Sequence, residues 1–205
     1  MLRLDHLAVV TSDLETGVAA VETALGVALA PGGQHPHMGT HNRLLNLGEA
    51  YLEVIAPDPS QPRPTHARWF SMDRFAGPPR LTNWICATDD LDAALAEAPA
   101  GAGTATPLSR GDFRWRIAIP ASGTLPFDDA FPALIQWDGT AHPAPRLPDA
   151  GVRLTALTLI HPQAEALRDW LAPRLPDPRV TVEAGPVKAM YAAFATPAGP
   201  RHLHG

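Results

Sequence analysis

The sequence predicts an α+β fold built from repeated strand–helix units. Three observations predict it: a short apolar segment opens each unit, a helical segment with an aspartate at its start follows, and further strand segments come after the helix. Residues 4–15 align without gaps on residues 81–92, and a fainter third copy begins at Leu154. Matched openings at three points of one chain indicate duplication of a βα unit.

The first unit opens with a strand at residues 4–10, where apolar and β-branched residues dominate. Asp13 then suits the N-cap of a helix over 14–25, and Gly26 suits its end. Segments 40–47 and 50–55 predict two strands joined by a hairpin-like turn. The unit is therefore βα followed by two or three strands.

The second and third units follow the same order. In the second, we expect a strand at 81–87, a helix at 91–98 and strands at 113–119 and 133–137. In the third, a strand at 154–161 and a helix at 163–175 precede strands at 180–183 and 189–195. We expect one domain, with a first module at 1–80, a second at 81–150 and a third, partial βα(ββ) module at 151–205.

Composition excludes several classes of protein. The chain of 205 residues has a net charge of -5, which gives no basic surface for nucleic acid and no basic stretch for a membrane surface. Its single cysteine, Cys86, excludes an intramolecular disulfide and cysteine-based zinc sites. The N-terminus enters a strand pattern without a signal peptide, so the cytoplasm is the expected compartment.

The opening Leu-Asp-His-Leu at 4–7, the Tyr-Leu-Glu at 51–53 and the glycine- and histidine-rich segment 31–42 resemble one known family. They are similar to the glyoxalase-like domain proteins of the vicinal-oxygen-chelate superfamily, and the similarity covers residues 1–148 best. The resemblance implies two paired βαβββ modules that form an open eight-stranded sheet around a cavity.

The resemblance also implies a site in that cavity. In the superfamily, a metal is held by one residue from the first and last strand of each module, and the matching positions here are His6, Glu53, Asn83 and Gln136. His6 and Glu53 are the expected catalytic residues, and one divalent metal ion would be held by His6, Glu53 and Gln136. Because two of the four positions carry neutral amides, the alternative is a polar pocket in which His6 and Glu53 satisfy each other.

Strand alternation places these side chains on one face. If His6 and Glu53 point into the cavity, Gln136 is expected to point there with Leu134, while Ile135 and Trp137 pack behind.

Further candidates for ligand binding come from polar residues near the predicted cavity. Arg110, Arg114 and Arg116 could bind a carboxylate or phosphate, or could form a solvated edge of the sheet. Trp69, Phe70, Trp84 and Trp115 would supply apolar walls or belong to the core. The predicted ligand-binding residues are Thr40, Asn42, Asn83, Ser109, Arg110, Arg114, Arg116 and Gln136.

Two functions follow as hypotheses. The first is a glyoxalase-like lyase or isomerase acting on a small carbonyl- or carboxylate-bearing molecule. The alternative is a non-catalytic module that sequesters a small molecule in the same cavity. Under both hypotheses, the expected partner is a small anionic ligand and not nucleic acid or a membrane. A homodimer is compatible with either hypothesis.

Overall fold

The computed structural model describes residues 1–205, which form twelve strands and three α-helices. None of the helices has the length and hydropathy that a membrane crossing requires. Two 3-10 turns lie at Met72–Arg74 and Ala144–Arg146. The elements in chain order are β1 (Arg3–Val10), α1 (Leu14–Leu25), β2 (Ala30–His35), β3 (Thr40–Asn46), β4 (Tyr51–Pro57), β5 (Arg80–Ala87), α2 (Leu91–Ala96), β6 (Thr104–Arg110), β7 (Phe113–Ile119), β8 (Ala133–Trp137), β9 (Arg153–His161), α3 (Ala164–Leu171), β10 (Val180–Ala184), β11 (Ala189–Thr196) and β12 (Gly199–His204).

Equivalent caps start the two repeated helices. The Asp13 side chain accepts a hydrogen bond from the Thr16 backbone N–H at 2.8 Å, and Asp90 accepts one from Ala93 at 3.0 Å. Each bond satisfies a backbone donor that the first helical turn leaves free. Gly26 ends α1 with a φ of 72°, a left-handed conformation that glycine adopts without steric cost.

The first two modules form one eight-stranded sheet in the order β2-β3-β4-β1-β5-β8-β7-β6. The opening strands β1 and β5 pair antiparallel at its centre, and each has the last strand of its own module as a parallel neighbour. The predicted architecture is thereby confirmed. The edge strands β2 and β6 were not predicted, because Pro31, Gly32 and Gly33 in β2 and Pro107 in β6 break the strand pattern. Edge strands tolerate such residues, since one side of their backbone is unpaired.

The third unit forms a separate four-stranded sheet in the order β10-β9-β11-β12. Its helix α3 leads directly into β10, which pairs parallel with β9, whereas in the first two modules the opening strand pairs parallel with the last strand. The partial unit therefore repeats the βα opening but not the strand order of the modules. It also has a strand, β12, that the sequence pattern did not indicate.

Candidate functional site

A β-bulge in β1 brings two consecutive side chains to the site. The register of β1 on β5 shifts between Leu4 and His6, so Asp5 is the extra residue. A bulge re-aims the side chains around it. Asp5 and His6 are 4% and 5% exposed, and Asp5 Oδ1 lies 2.6 Å from His6 Nδ1.

The Asp5 carboxylate is the acceptor at the centre of a buried cluster. Besides His6, Trp137 Nε1 donates to Asp5 Oδ2 at 2.9 Å, and His142 Nε2 lies 3.1 Å from the same oxygen. Burial by itself would raise the pKa of Asp5, but the hydrogen bonds with His142 and His6 outweigh it and hold that pKa well below its usual value. Asp5 is therefore a buried carboxylate that stays ionised and orients His6.

His6 and Glu53 face each other on the concave side of the sheet. The parallel register aligns His6 with Tyr51 and Ala8 with Glu53, so these residues share one face. The His6 ring stacks on Tyr51 with centroids 4.3 Å apart, and its Nε2 lies 3.7 Å from Glu53 Oε2. The other carboxylate oxygen, Oε1, accepts a short hydrogen bond from Asn42 Nδ2. Glu53 is thus fixed through one oxygen, and the other oxygen points to the imidazole.

Arg110 connects the two ends of the sheet across the cavity. From β6, its Nη1 reaches Asn42 Oδ1 at 3.3 Å and His35 Nε2 at 3.2 Å. Gly33 makes room for it, because a Cβ there would lie 2.7 Å from Arg110 Cδ. Burial, and then the charge of Arg110, lowers the pKa of His35 to about 3. His35 is therefore neutral, and its Nδ1 lies 3.2 Å from Thr40 Oγ1.

These polar groups line a small, partly open cavity of about 30 Å³. A cavity of this size admits the end of a ligand and not a whole one. A larger groove of about 590 Å³ lies beside it, and the two spaces share His35 and Trp115. The apolar wall of the cavity consists of Trp69, Phe70, Trp115, Ile117, Ile135 and Trp137.

Several predicted residues meet at this cavity. His6, Glu53, Asn42 and Arg110 line it, and Thr40 supports His35 from the same face of the sheet. Of the predicted aromatic walls, Trp69, Phe70 and Trp115 line the cavity. Trp84 does not line it, and its Nε1 donates to the Ala130 carbonyl in the core.

Gln136 requires a correction, because its side chain points away from the cavity. Gln136 Oε1 accepts hydrogen bonds from the Leu91 backbone N–H at 3.0 Å and from Arg116 Nη2 at 2.7 Å, and its Nε2 donates to the Asp89 carbonyl at 2.9 Å. The amide therefore binds the start of α2, and Ile135 and Trp137 point inward instead. The expected alternation in this strand was inverted, since a polar residue in an apolar strand can serve either face.

The other predicted arginines do not reach the inner cavity either. Arg116 Nη1 pairs with Asp92 at 2.9 Å, and Arg114 Nη1 donates to the carbonyls of Gly111 and Phe113. Together with Ser109, both arginines border the outer groove. Only Arg110, of the three predicted arginines, contacts the inner polar cluster.

Asn83 lies on the same face as Ala8 but outside the cavity wall. It is fully buried, and neither atom of its amide has a hydrogen-bond partner. Sequence reasoning missed Asp5, His142 and the contact between His35 and Arg110. Only the adjacency of Asp5 to His6 could have indicated the first, and no periodic signal marks the other two.

The donors of the metal site that the resemblance implies do not all meet in the structure. His6 Nε2 and Glu53 Oε2 converge, but Gln136 is turned to the opposite face and Asn83 lies outside the cavity wall. No group of three or more histidine, cysteine, aspartate or glutamate side chains is arranged to hold a metal ion. Two convergent ligands do not fit the expected metal centre.

Comparison with known proteins agrees with the fold. A structure of a hypothetical protein from Staphylococcus aureus aligns with a TM-score of 0.61 and 15% identity, over 92% of this chain and 88% of that one. Methylmalonyl-CoA epimerases align less well. The enzyme from Streptomyces coelicolor gives a TM-score of 0.44 at 15% identity over 68% of this chain and 98% of its own. The enzyme from Mycobacterium tuberculosis gives 0.42 at 19% identity over 67% and 88%.

A search of the curated proteins finds no match. A family model described as a glyoxalase-like domain matches residues 4–175, most of the chain. The chain therefore belongs to the glyoxalase-like domain family.

Proposed function

We propose that this protein is an isomerase or lyase that moves a proton on a small molecule carrying a carbonyl group and a carboxylate. The observation that carries the proposal is the state of Glu53. The residue is 5% exposed, and its carboxylate accepts a hydrogen bond only from the Asn42 amide and directs one oxygen toward His6 in a cavity walled by aromatic rings. A base for proton abstraction needs such a free oxygen within reach of the substrate.

In the proposed step, Glu53 Oε2 takes a proton from the carbon next to the carbonyl. The electron pair of the broken C–H bond moves into the carbonyl group and forms an enolate. Return of a proton to the opposite face of that same carbon gives isomerisation. Departure of a leaving group from the neighbouring carbon, with its bonding electron pair, gives elimination. No oxidant or reductant is needed.

His6 is positioned to share the abstracted proton. Its Nδ1 faces the ionised Asp5 carboxylate at 2.6 Å, which fixes the proton on Nδ1 and leaves the Nε2 lone pair toward Glu53. Nε2 can therefore accept the proton from Glu53 and release it again. Asp5 acts as the positioning residue for this ring.

Arg110 is the proposed contact for the carboxylate of the substrate. It is half-buried, lines the cavity and has no carboxylate partner of its own. A planar guanidinium binds a carboxylate with two parallel hydrogen bonds. A substrate carboxylate would replace the contacts with His35 and Asn42.

One observation favours the second candidate, a binding module without catalysis. The inner cavity of about 30 Å³ admits only the end of a ligand, and its polar groups already contact one another. A protein that only sequesters its ligand needs no free base.

Deuterium exchange separates the two candidates. The protein is incubated in D2O with pyruvate, 2-oxobutyrate or 2-oxooctanoate, and loss of the protons next to the carbonyl is followed by proton NMR. We expect exchange with the native protein and a fall of about 100-fold or more in Glu53→Gln, because general base catalysis contributes about that factor. The exposed Glu183→Gln is the matched control and should exchange normally. Binding of these acids without exchange would refute catalysis and favour sequestration.

A further inference from the structure

Trp69 carries a buried indole N–H that has no acceptor. The residue lies between β4 and β5, in the segment that joins the two modules, and is 5% exposed. Its Nε1 makes no hydrogen bond, although almost all buried donors in folded proteins do. Trp69 lines the inner cavity together with Glu53. The protein itself therefore supplies no acceptor for this donor, although the residue lies at the cavity.

The chain holds Trp69 in place at a cost in backbone strain. The two residues after it, Phe70 and Ser71, have φ values of 58° and 52°, a left-handed conformation that side chains disfavour. The second module fixes this turn, because Ser71 N donates to the Gly123 carbonyl at 2.7 Å and Ser71 Oγ donates to Asp129 Oδ2 at 2.6 Å. The position of the indole is therefore fixed in part by Gly123 and Asp129, which lie in the second module.

The groups around the cavity define the ligand that would fit. Trp69 and Arg110 offer donors, whereas Glu53 offers an acceptor. The head of the ligand must therefore carry oxygen acceptors, as a carbonyl next to a carboxylate does. The inner cavity admits only a small head, and the outer groove of about 590 Å³ has His35 and Trp115 in common with it.

We propose that Trp69 Nε1 donates a hydrogen bond to the head oxygen of an elongated 2-oxo acid whose chain extends into the outer groove. Pro107, Leu108 and Trp115 form the apolar part of that groove and contact the chain. This inference rests on the proposed function, because both place the ligand head beside Glu53. It adds a binding residue and the length of the substrate.

The test compares Trp69→Phe with Trp170→Phe. Phenylalanine keeps an aromatic ring but removes the N–H, and Trp170 is a suitable control because its Nε1 donates to the Glu97 carbonyl on another surface. Dissociation constants for 2-oxobutyrate and 2-oxooctanoate are measured by calorimetry. We expect Trp69→Phe to bind both acids about 3- to 10-fold more weakly, the effect of one hydrogen bond. Trp170→Phe should bind them like the native protein, and the longer acid should bind more tightly than the shorter one.

A spectroscopic signal separates a direct contact from a merely structural role. The indole resonance that disappears in Trp69→Phe identifies Trp69 in the native spectrum, and it should move downfield when 2-oxooctanoate is added. Equal affinity of Trp69→Phe and native protein, an indole signal that does not move, or the absence of binding by either acid would overturn the inference. Binding that depends on Trp69 without deuterium exchange would refute the proposed catalysis alone. Exchange with equal affinity in Trp69→Phe would refute the role of Trp69 alone.

Discussion

His35 should make the stability of the protein depend on pH in a window where exposed groups contribute little. The pKa of His35 is about 3 in the folded protein and about 6.5 in an unfolded chain. Between these values, the unfolded chain binds a proton that the folded protein does not bind. The stability associated with neutral His35 is therefore complete above pH 6.5 and is lost as the pH falls toward 3.

The size of the effect follows from the separation of the two pKa values. Each pH unit within the window lowers the free energy of unfolding by about 1.4 kcal/mol. Lowering the pH from about 7.5 to about 5 should therefore cost about 2 kcal/mol through His35. The proton is excluded because the ring is buried beside the positive charge of Arg110.

The perturbation is His35→Gln, which keeps polar atoms for Thr40 and Arg110 but does not titrate. Urea unfolding at the two pH values should give a loss about 2 kcal/mol smaller for this variant than for the native protein. His37→Gln is the matched control, because His37 is an exposed histidine in the same segment. The reasoning is refuted if His35→Gln and the native protein lose the same free energy of unfolding between these pH values.

Two further substitutions test the assignments in the site. Gln136→Ala removes two hydrogen bonds at the start of α2 and one with Arg116, so unfolding experiments should show a loss of about 1–3 kcal/mol. Binding of 2-oxobutyrate should stay unchanged, and weaker binding at native stability would contradict the outward placement. Asp5→Asn turns an amide N–H₂ toward at least one of three donors, which should lower the free energy of unfolding by about 1–3 kcal/mol and slow deuterium exchange. Asp92→Asn, an exposed carboxylate, is its control, and equal stability of the two variants would argue against the buried cluster.

The internal repeat made the centre of the fold predictable from the sequence. Asp13 and Asp90 occupy equivalent positions before their helices, and each caps its helix as its position indicates. The shared face of His6 and Glu53 was also predictable, because alternation holds over the regular part of their strands. Local rules succeed here because the backbone is regular.

The remainder of the site depends on departures from regularity. Asp5 reaches the cavity cluster through a bulge, which breaks the alternation that sequence reasoning assumes. In β8 the strand is regular, but alternation alone does not say which of its two sets of side chains faces the cavity. Gln136 lies in the set that faces α2, where its amide accepts a hydrogen bond from the Leu91 backbone N–H. The contact between Arg110 and Asn42 requires the sheet to curl until residues 68 positions apart meet, and no local pattern encodes that distance.

The segment at residues 58–79 contributes part of the cavity wall but belongs to neither half of the sheet. Substitutions there can reshape the chamber while the strand pairing of the duplicated scaffold stays intact. Divergence among related proteins can therefore alter ligand preference by exchanging this one connector, independently of the inherited architecture.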